Sequence, residues 1–206
     1  FLIEFNSNFV KKYYTMKKFI LILLFLITGV ANSQIADNAE NISPLLIGEK
    51  IPNVVLHDSN GNEISTNKIL SKKTVLIVYR GGWCPYCNSQ LADMQDLENE
   101  ILALGYQVVA ISPDAPSFLK QTLDKKELHY QLYSDSEGVF SQAVGIAFQR
   151  EKPKLDKYSE GKNPGFLPVP TVYVINDNKE IEFLYINPNY SKRLEGKVLL
   201  AVLKSL

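Results

Sequence analysis

Two kinds of apolar run alternate along this chain. Thr74-Val-Leu-Ile-Val-Tyr79 is β-branched or apolar throughout, and Tyr106-Gln-Val-Val-Ala-Ile-Ser112 nearly so. Unbroken runs of this length predict strands covered on both faces. Between them Leu91, Met94, Leu97, Ile101 and Leu102 recur at helical spacing. That stripe predicts a helix from about Cys84 to Leu104, stopped by Gly105. Pro116 opens a second helix to about Lys126. Tyr130 to Ser134 reads as a short strand and Glu137 to Val144 as a short helix. This alternation predicts an α/β core with parallel strands.

The two ends of the chain break the alternation. Ile51 to His57 reads as extended, Asp58 to Gly61 as a turn, and Glu63 onward as a second short strand or loop. Thr171–Ile175 and Glu180–Ile186 flank Asn176-Asp-Asn-Lys, the pattern of an antiparallel hairpin. Arg193 to Leu206 is expected to close the fold with a helix. The sum is a central mixed sheet flanked by helices, with an N-terminal extension. Gln149 to Phe166 is charged and broken by two prolines and two glycines, and is expected to be a surface loop rather than a lid.

The longest apolar run is not a strand. Met16-Lys-Lys is followed by 13 mostly apolar residues, Phe19 to Ala31, and by the small-x-small pattern Ala31-Asn-Ser33. Basic start, short apolar stretch and small residues predict an export signal from Met16 to Ser33. The run is too short for a spanning helix, which needs about 20 residues. No stable membrane span is expected after its removal, and the location is periplasmic or secreted. Residues 1–15 read as an upstream or misassigned segment, 34–46 as a flexible leader, and 47–206 as one domain. Losing residues 1–33 removes four lysines and one glutamate, turning a net charge of zero into −3. No basic face is implied, so nucleic acid is not expected as a partner.

Export sharpens the meaning of the two cysteines, Cys84 and Cys87. They cannot staple the fold, because a bond between them closes too short a loop to restrain the unfolded chain. They sit where the buried strand ends and the long helix begins. A sulfur there faces the positive end of the helix dipole, which favours the thiolate. Pro85 suits the first helical turn. Arg80 adds charge, and Trp83 and Tyr86 flank the pair. Half a zinc site is the rival reading, but His57 and His129 are the only histidines and stand apart, so no metal or other cofactor is expected.

A strand, then Trp-Cys-x-x-Cys opening a helix, then Val169-Pro170-Thr171 leading into a buried strand resembles the thioredoxin fold. That resemblance implies a cis bond at Pro170 and a substrate held by the backbone at Val169. Three further segments resemble the AhpC/TSA peroxiredoxin-like family: Ile47-Gly-Glu-Lys-Ile-Pro52, Val78 to Cys87, and Leu167 to Ile175. Asn187 to Leu194 also resembles a stretch near the end of that family. In the family's register Arg80 replaces a proline, Cys84 a threonine, and Cys87 the peroxide-attacking cysteine, while Pro170 stands where an arginine is usual.

The resemblance implies a thiol peroxidase that reduces hydroperoxides and is recycled by a thioredoxin-like donor. The alternative is a thiol–disulfide oxidoreductase acting on protein disulfides. A third reading is a non-catalytic binding module on a thioredoxin scaffold, since fold does not dictate function. The two registers name different attackers. Thioredoxin logic names Cys84, expected to be the exposed sulfur; peroxiredoxin alignment names Cys87.

Overall fold

The computed structural model describes residues 35–150 and 153–206. The segments read as an upstream stretch and an export signal lie outside the described residues. In chain order the elements are β1 (Val55–His57), β2 (Glu63–Ser65), α1 (Thr66–Ile69), β3 (Thr74–Val78) and α2 (Pro85–Ala103). There follow β4 (Gln107–Ser112), α3 (Pro116–Lys126), β5 (Gln131–Ser134), α4 (Val139–Ala143) and β6 (Ala147–Gln149). The chain ends with α5 (Pro153–Tyr158), β7 (Phe166–Pro168), β8 (Thr171–Ile175), β9 (Ile181–Ile186) and α6 (Gly196–Leu203).

Seven strands form one sheet in the order β2-β1-β5-β4-β3-β8-β9. β3, β4 and β5 run parallel, as their helical crossovers require. β8 adds antiparallel to β3, and β9 antiparallel to β8. The expected mixed sheet and hairpin are both present.

β3 lies inside the sheet with every residue buried, which is why its sequence has no polar face. Alternate residues feed two cores, because successive side chains on a strand point to opposite faces. Val75, Ile77 and Tyr79 join Leu91, Met94 and Ile101 of α2 and Leu199 and Leu203 of α6. Leu76 and Val78 join Ile111, Phe140, Tyr173 and Ile175 on the other face. The fold is thus a thioredoxin-like sheet with helices on both sides.

Several expectations need correction. No peptide bond among the described residues is cis, so Pro170 is trans. The resemblance transfers the residues but not that backbone isomer. Residues 149–166 are not a bare loop: they contain α5, and their ends pair β6 with β7 antiparallel. The closing helix begins at Gly196 rather than Arg193.

The stretch expected to be a flexible leader is hydrogen-bonded onto the body along 36–45. Gln149 N–H donates to Ala36 O at 2.8 Å, and Ser43 and Leu45 N–H donate to Gly145 and Val144 carbonyls at 3.1 Å each. Gly145 has φ +70°, and the space beside its α-carbon is filled by the Ser43 carbonyl.

Candidate active site

The sharp turn after β3 builds the site. Arg80-Gly81-Gly82-Trp83 must reverse the chain within four residues, and Gly81 does so at φ +132°, a conformation that side chains disfavour. Three hydrogen bonds pin the turn. Gly82 N–H donates to Asp114 Oδ2 at 2.7 Å, and Asn88 Nδ2 donates to Gly82 O at 3.0 Å. Cys84 N–H donates to Gly81 O at 3.1 Å. Cys84 therefore lands at the N-cap of α2, with Pro85 in the first turn and Cys87 just inside it.

Both thiols are free, and both are buried, Cys84 at 1% exposure and Cys87 at 0%. The expectation that the first cysteine is the exposed one fails here, because Cys84 joins Cys87 in the core cluster with Tyr79 and Leu91. The two sulfurs share one proton unequally. The Cys87 thiol donates to Cys84, and the Cys87 amide and the Arg80 and Arg193 charges add to this, pulling Cys84 down to about 6 against its burial. Burial pushes Cys87 well above the ordinary thiol range, and its bond to Cys84 holds the proton in place.

Arg193 is the residue that sequence reasoning missed. Its Nη2 lies 3.4 Å from Cys87 Sγ, reaching back from the loop after β9. The segment Asn187 to Leu194 was the signal that could have found it. Arg80, 5% exposed, packs its guanidinium 4.1 Å from the Tyr190 ring centroid and 5.2 Å from that of Trp83. Tyr190 meets Tyr86 edge-on at 5.8 Å. The structure thus brings Arg80, Trp83, Cys84, Pro85, Tyr86 and Cys87 together.

Val169 and Pro170 lie beside Arg80 and share a cavity with it. Thr171 plays a supporting part: its hydroxyl donates to Val169 O at 2.8 Å. Val169 N–H is already donated to Ile146 O at 2.9 Å, so this amide is not free for a substrate backbone. His57 lies on β1, and His129 bonds Gln95 at 2.9 Å on the surface, so neither joins the cysteines. Among the described residues no three His, Cys, Asp or Glu side chains converge as a metal site.

Asp114 is the second group that the sequence did not flag. Its Oδ2 also accepts from Ser112 Oγ at 3.1 Å, and burial pushes its carboxyl up to about 6. A carboxyl raised on folding holds its proton more tightly in the folded state. The stability this gives is present at low pH and lost as pH rises from about 4 to about 6. Asp135, capping α4 through Phe140 and Ser141 amides, is raised to about 6 in the same way. Asp114→Asn keeps an acceptor for Gly82 and cannot ionise. Denaturant unfolding at pH 4.5 and 8 should show the variant losing about 2 kcal/mol less than the native chain across that range. Equal losses would mean that Asp114 does not titrate in this window.

The AhpC/TSA family profile matches residues 47–184 of this chain. A Haemophilus influenzae protein, provisionally named peroxiredoxin bcp, is 31% identical over 105 residues, 51% of this chain and 68% of that protein. The thiol-disulfide oxidoreductase ResA of Oceanobacillus iheyensis is 27% identical over 179 residues, 85% of this chain and 83% of that protein. The crystal structure of peroxidoxin BcpB from Mycobacterium tuberculosis superposes with a TM-score of 0.63 at 21% identity, covering 78% of this chain and 97% of that one. The likeness in fold, the paired cysteines on their helix and the extent of the profile match agree: this chain belongs to the AhpC/TSA family.

Proposed function

We propose that the chain is a two-cysteine thiol peroxidase in which Cys84 attacks and Cys87 resolves. The observation that carries this reading is the asymmetry of the pair. Cys84 is drawn toward the thiolate, while Cys87 keeps its proton one helical turn away. The Cys84 thiolate attacks the nearer peroxide oxygen and breaks the O–O bond. Cys84 becomes a sulfenic acid, and the departing alkoxide takes a proton and leaves as alcohol or water. The Cys87 thiol then attacks the sulfenic sulfur, forming the Cys84–Cys87 disulfide and releasing water. A dithiol of the thioredoxin kind reduces that disulfide by exchange and is itself oxidised. Arg193 stands where a cation stabilises charge building on the sulfurs and the peroxide. An exported location rests on the Met16 to Ser33 pattern alone.

Protein-disulfide exchange is the second reading, supported by the longer ResA match. Two features favour the peroxidase. Both sulfurs are buried, which suits a small oxidant better than a protein disulfide. Val169 N–H, the donor expected to hold a peptide backbone, is spent within the fold.

The test runs two assays side by side on the purified chain with dithiothreitol as reductant. Hydroperoxide should disappear far faster than with the Cys84→Ser, Cys87→Ser double variant, and insulin reduction should stay near background. Fast insulin reduction with peroxide loss at the double-variant rate would reverse the assignment.

A further inference from the structure

Among the described residues, one buried cation beside the cysteines meets the Cys84 sulfur but no carboxylate. Arg80 makes ring contacts with Tyr190 and Trp83, yet among the described residues its guanidinium meets no carboxylate and donates no hydrogen bond. A buried guanidinium is costly unless its donors are met, and a single sulfur does not fill its fork. The planar fork of arginine is shaped for two parallel bonds to a carboxylate. Arg80 is not enclosed on all sides: it lines a cavity of about 230 Å³.

The other walls say which anions belong there. Phe148, Pro168, Val169, Pro170 and Tyr190 present carbon surface, which suits an apolar body behind the charge. The rim is of mixed sign, with exposed Arg150 opposed by exposed Asp37 and Glu40. Those two carboxylates disfavour highly charged anions at the mouth. The volume falls below the roughly 300–1,000 Å³ of drug-sized sites, so the occupant is small.

We propose that this cavity binds a small organic carboxylate, with Arg80 holding the carboxylate and the Phe148, Pro170 and Tyr190 walls holding its apolar part. Neither sulfur lines the cavity, but the Arg80 charge reaches Cys84, so on the peroxidase reading a carboxylate held there would favour hydroperoxides that carry one. Arg80 then has a different task from Arg193. Arg193 meets the resolving sulfur, Cys87, and Arg80 faces the part of the substrate that does not react. The cavity is formed jointly by the Arg80 turn, the Val169–Pro170 approach to β8, and the 37–40 stretch laid across them.

Binding can be read without turnover, because Trp83 is the sole tryptophan and Arg80 packs on its ring. Trp83 fluorescence is titrated with benzoate, benzyl alcohol and inorganic phosphate on the full chain. Benzoate should saturate, while the neutral alcohol and the phosphate should bind at least tenfold more weakly. Arg80→Gln should weaken benzoate at least tenfold, and Arg80→Lys should weaken it less. Equal binding of benzoate and benzyl alcohol by the native chain, phosphate binding as tight as benzoate, or no benzoate response overturns the proposal without needing any variant.

The preference is then tested by kcat/KM for a carboxylate-bearing hydroperoxide and its methyl ester. The native chain should favour the acid, and Arg80→Gln should bring the ratio toward one. A native ratio of one overturns the preference, whereas loss of all peroxide turnover with benzoate binding intact overturns only the peroxidase reading.

Discussion

Cys84→Ser is expected to bring peroxide consumption down to the level of the variant lacking both sulfurs, whereas Cys87→Ser, with no thiol added, should still consume one peroxide per chain. The difference follows from what each sulfur does. Without Cys84 the remaining thiol is Cys87, which burial keeps protonated, so no nucleophile is present near neutral pH. Without Cys87, Cys84 still attacks and reaches the sulfenic acid, but nothing in the chain resolves it. A dimedone adduct on Cys84, one per chain in Cys87→Ser and absent in Cys84→Ser, checks the assignment. The opposite pattern would make Cys87 the attacker and restore the peroxiredoxin register. A pH profile adds a second measurement. Alkylation of Cys84 in the native chain should rise through a midpoint near 6. In Cys87→Ala, where the donor is removed, the midpoint should move upward. An unmoved midpoint would mean that the shared proton does not set the reactivity of Cys84.

Gly81→Ala should be the most damaging single change outside the two sulfurs. At φ +132° a side chain is strained by about 1–3 kcal/mol. The added carbon would also run into Trp83 Nε1 and Asp114 Oδ1, both of which lie against Gly81. Neither neighbour is the loose end of a flexible chain: Asp114 is fully buried and holds the Gly82 amide. Relief therefore requires the turn to open, and that moves Cys84 off the end of α2. The expected result is a fold weakened by several kcal/mol on the scale of strained and overpacked sites, with peroxide turnover lost. Asn88→Ala, which removes only one bond to Gly82 O, should cost about 1 kcal/mol and leave measurable activity. Thermal unfolding and turnover measured on both variants separate a rigid turn from an adaptable one. A Gly81→Ala protein with native stability and rate would show that the turn adapts.

The parts of the fold visible in the sequence are those in which one residue run carries its own reason. β3 is buried from end to end and β4 at every residue after Gln107, so their apolar runs have no second interpretation. α2 shows its stripe and both of its ends, Pro85 and Gly105. β6 and β7 are three residues each, too short for alternation to register, and they exist because they find one another across α5. At the site, the cysteines and Arg80 are adjacent in sequence and were legible as a unit. Arg193 was not, because its partner lies 106 residues away and only the folded sheet brings them together. Asp114 was hidden for a similar reason: an aspartate after a strand looks like a loop residue until Gly82 is seen to donate to it. The trans bond at Pro170 shows the limit of resemblance, which carries residue types more safely than backbone states.

The cavity beside Arg80 also bears on how proteins of this kind diversify. Its walls include Asp37 to Glu40 from one end of the described chain and Pro188 and Tyr190 from the other, and Arg193 arrives from that same end. The family match stops at residues 47 and 184, so none of these lies inside it. Residues 47–184 carry the sulfurs, and the stretches on either side carry much of what surrounds them. Exchanging those stretches between relatives is thus a direct way to retune which molecules reach the sulfurs while leaving the helix that presents them intact.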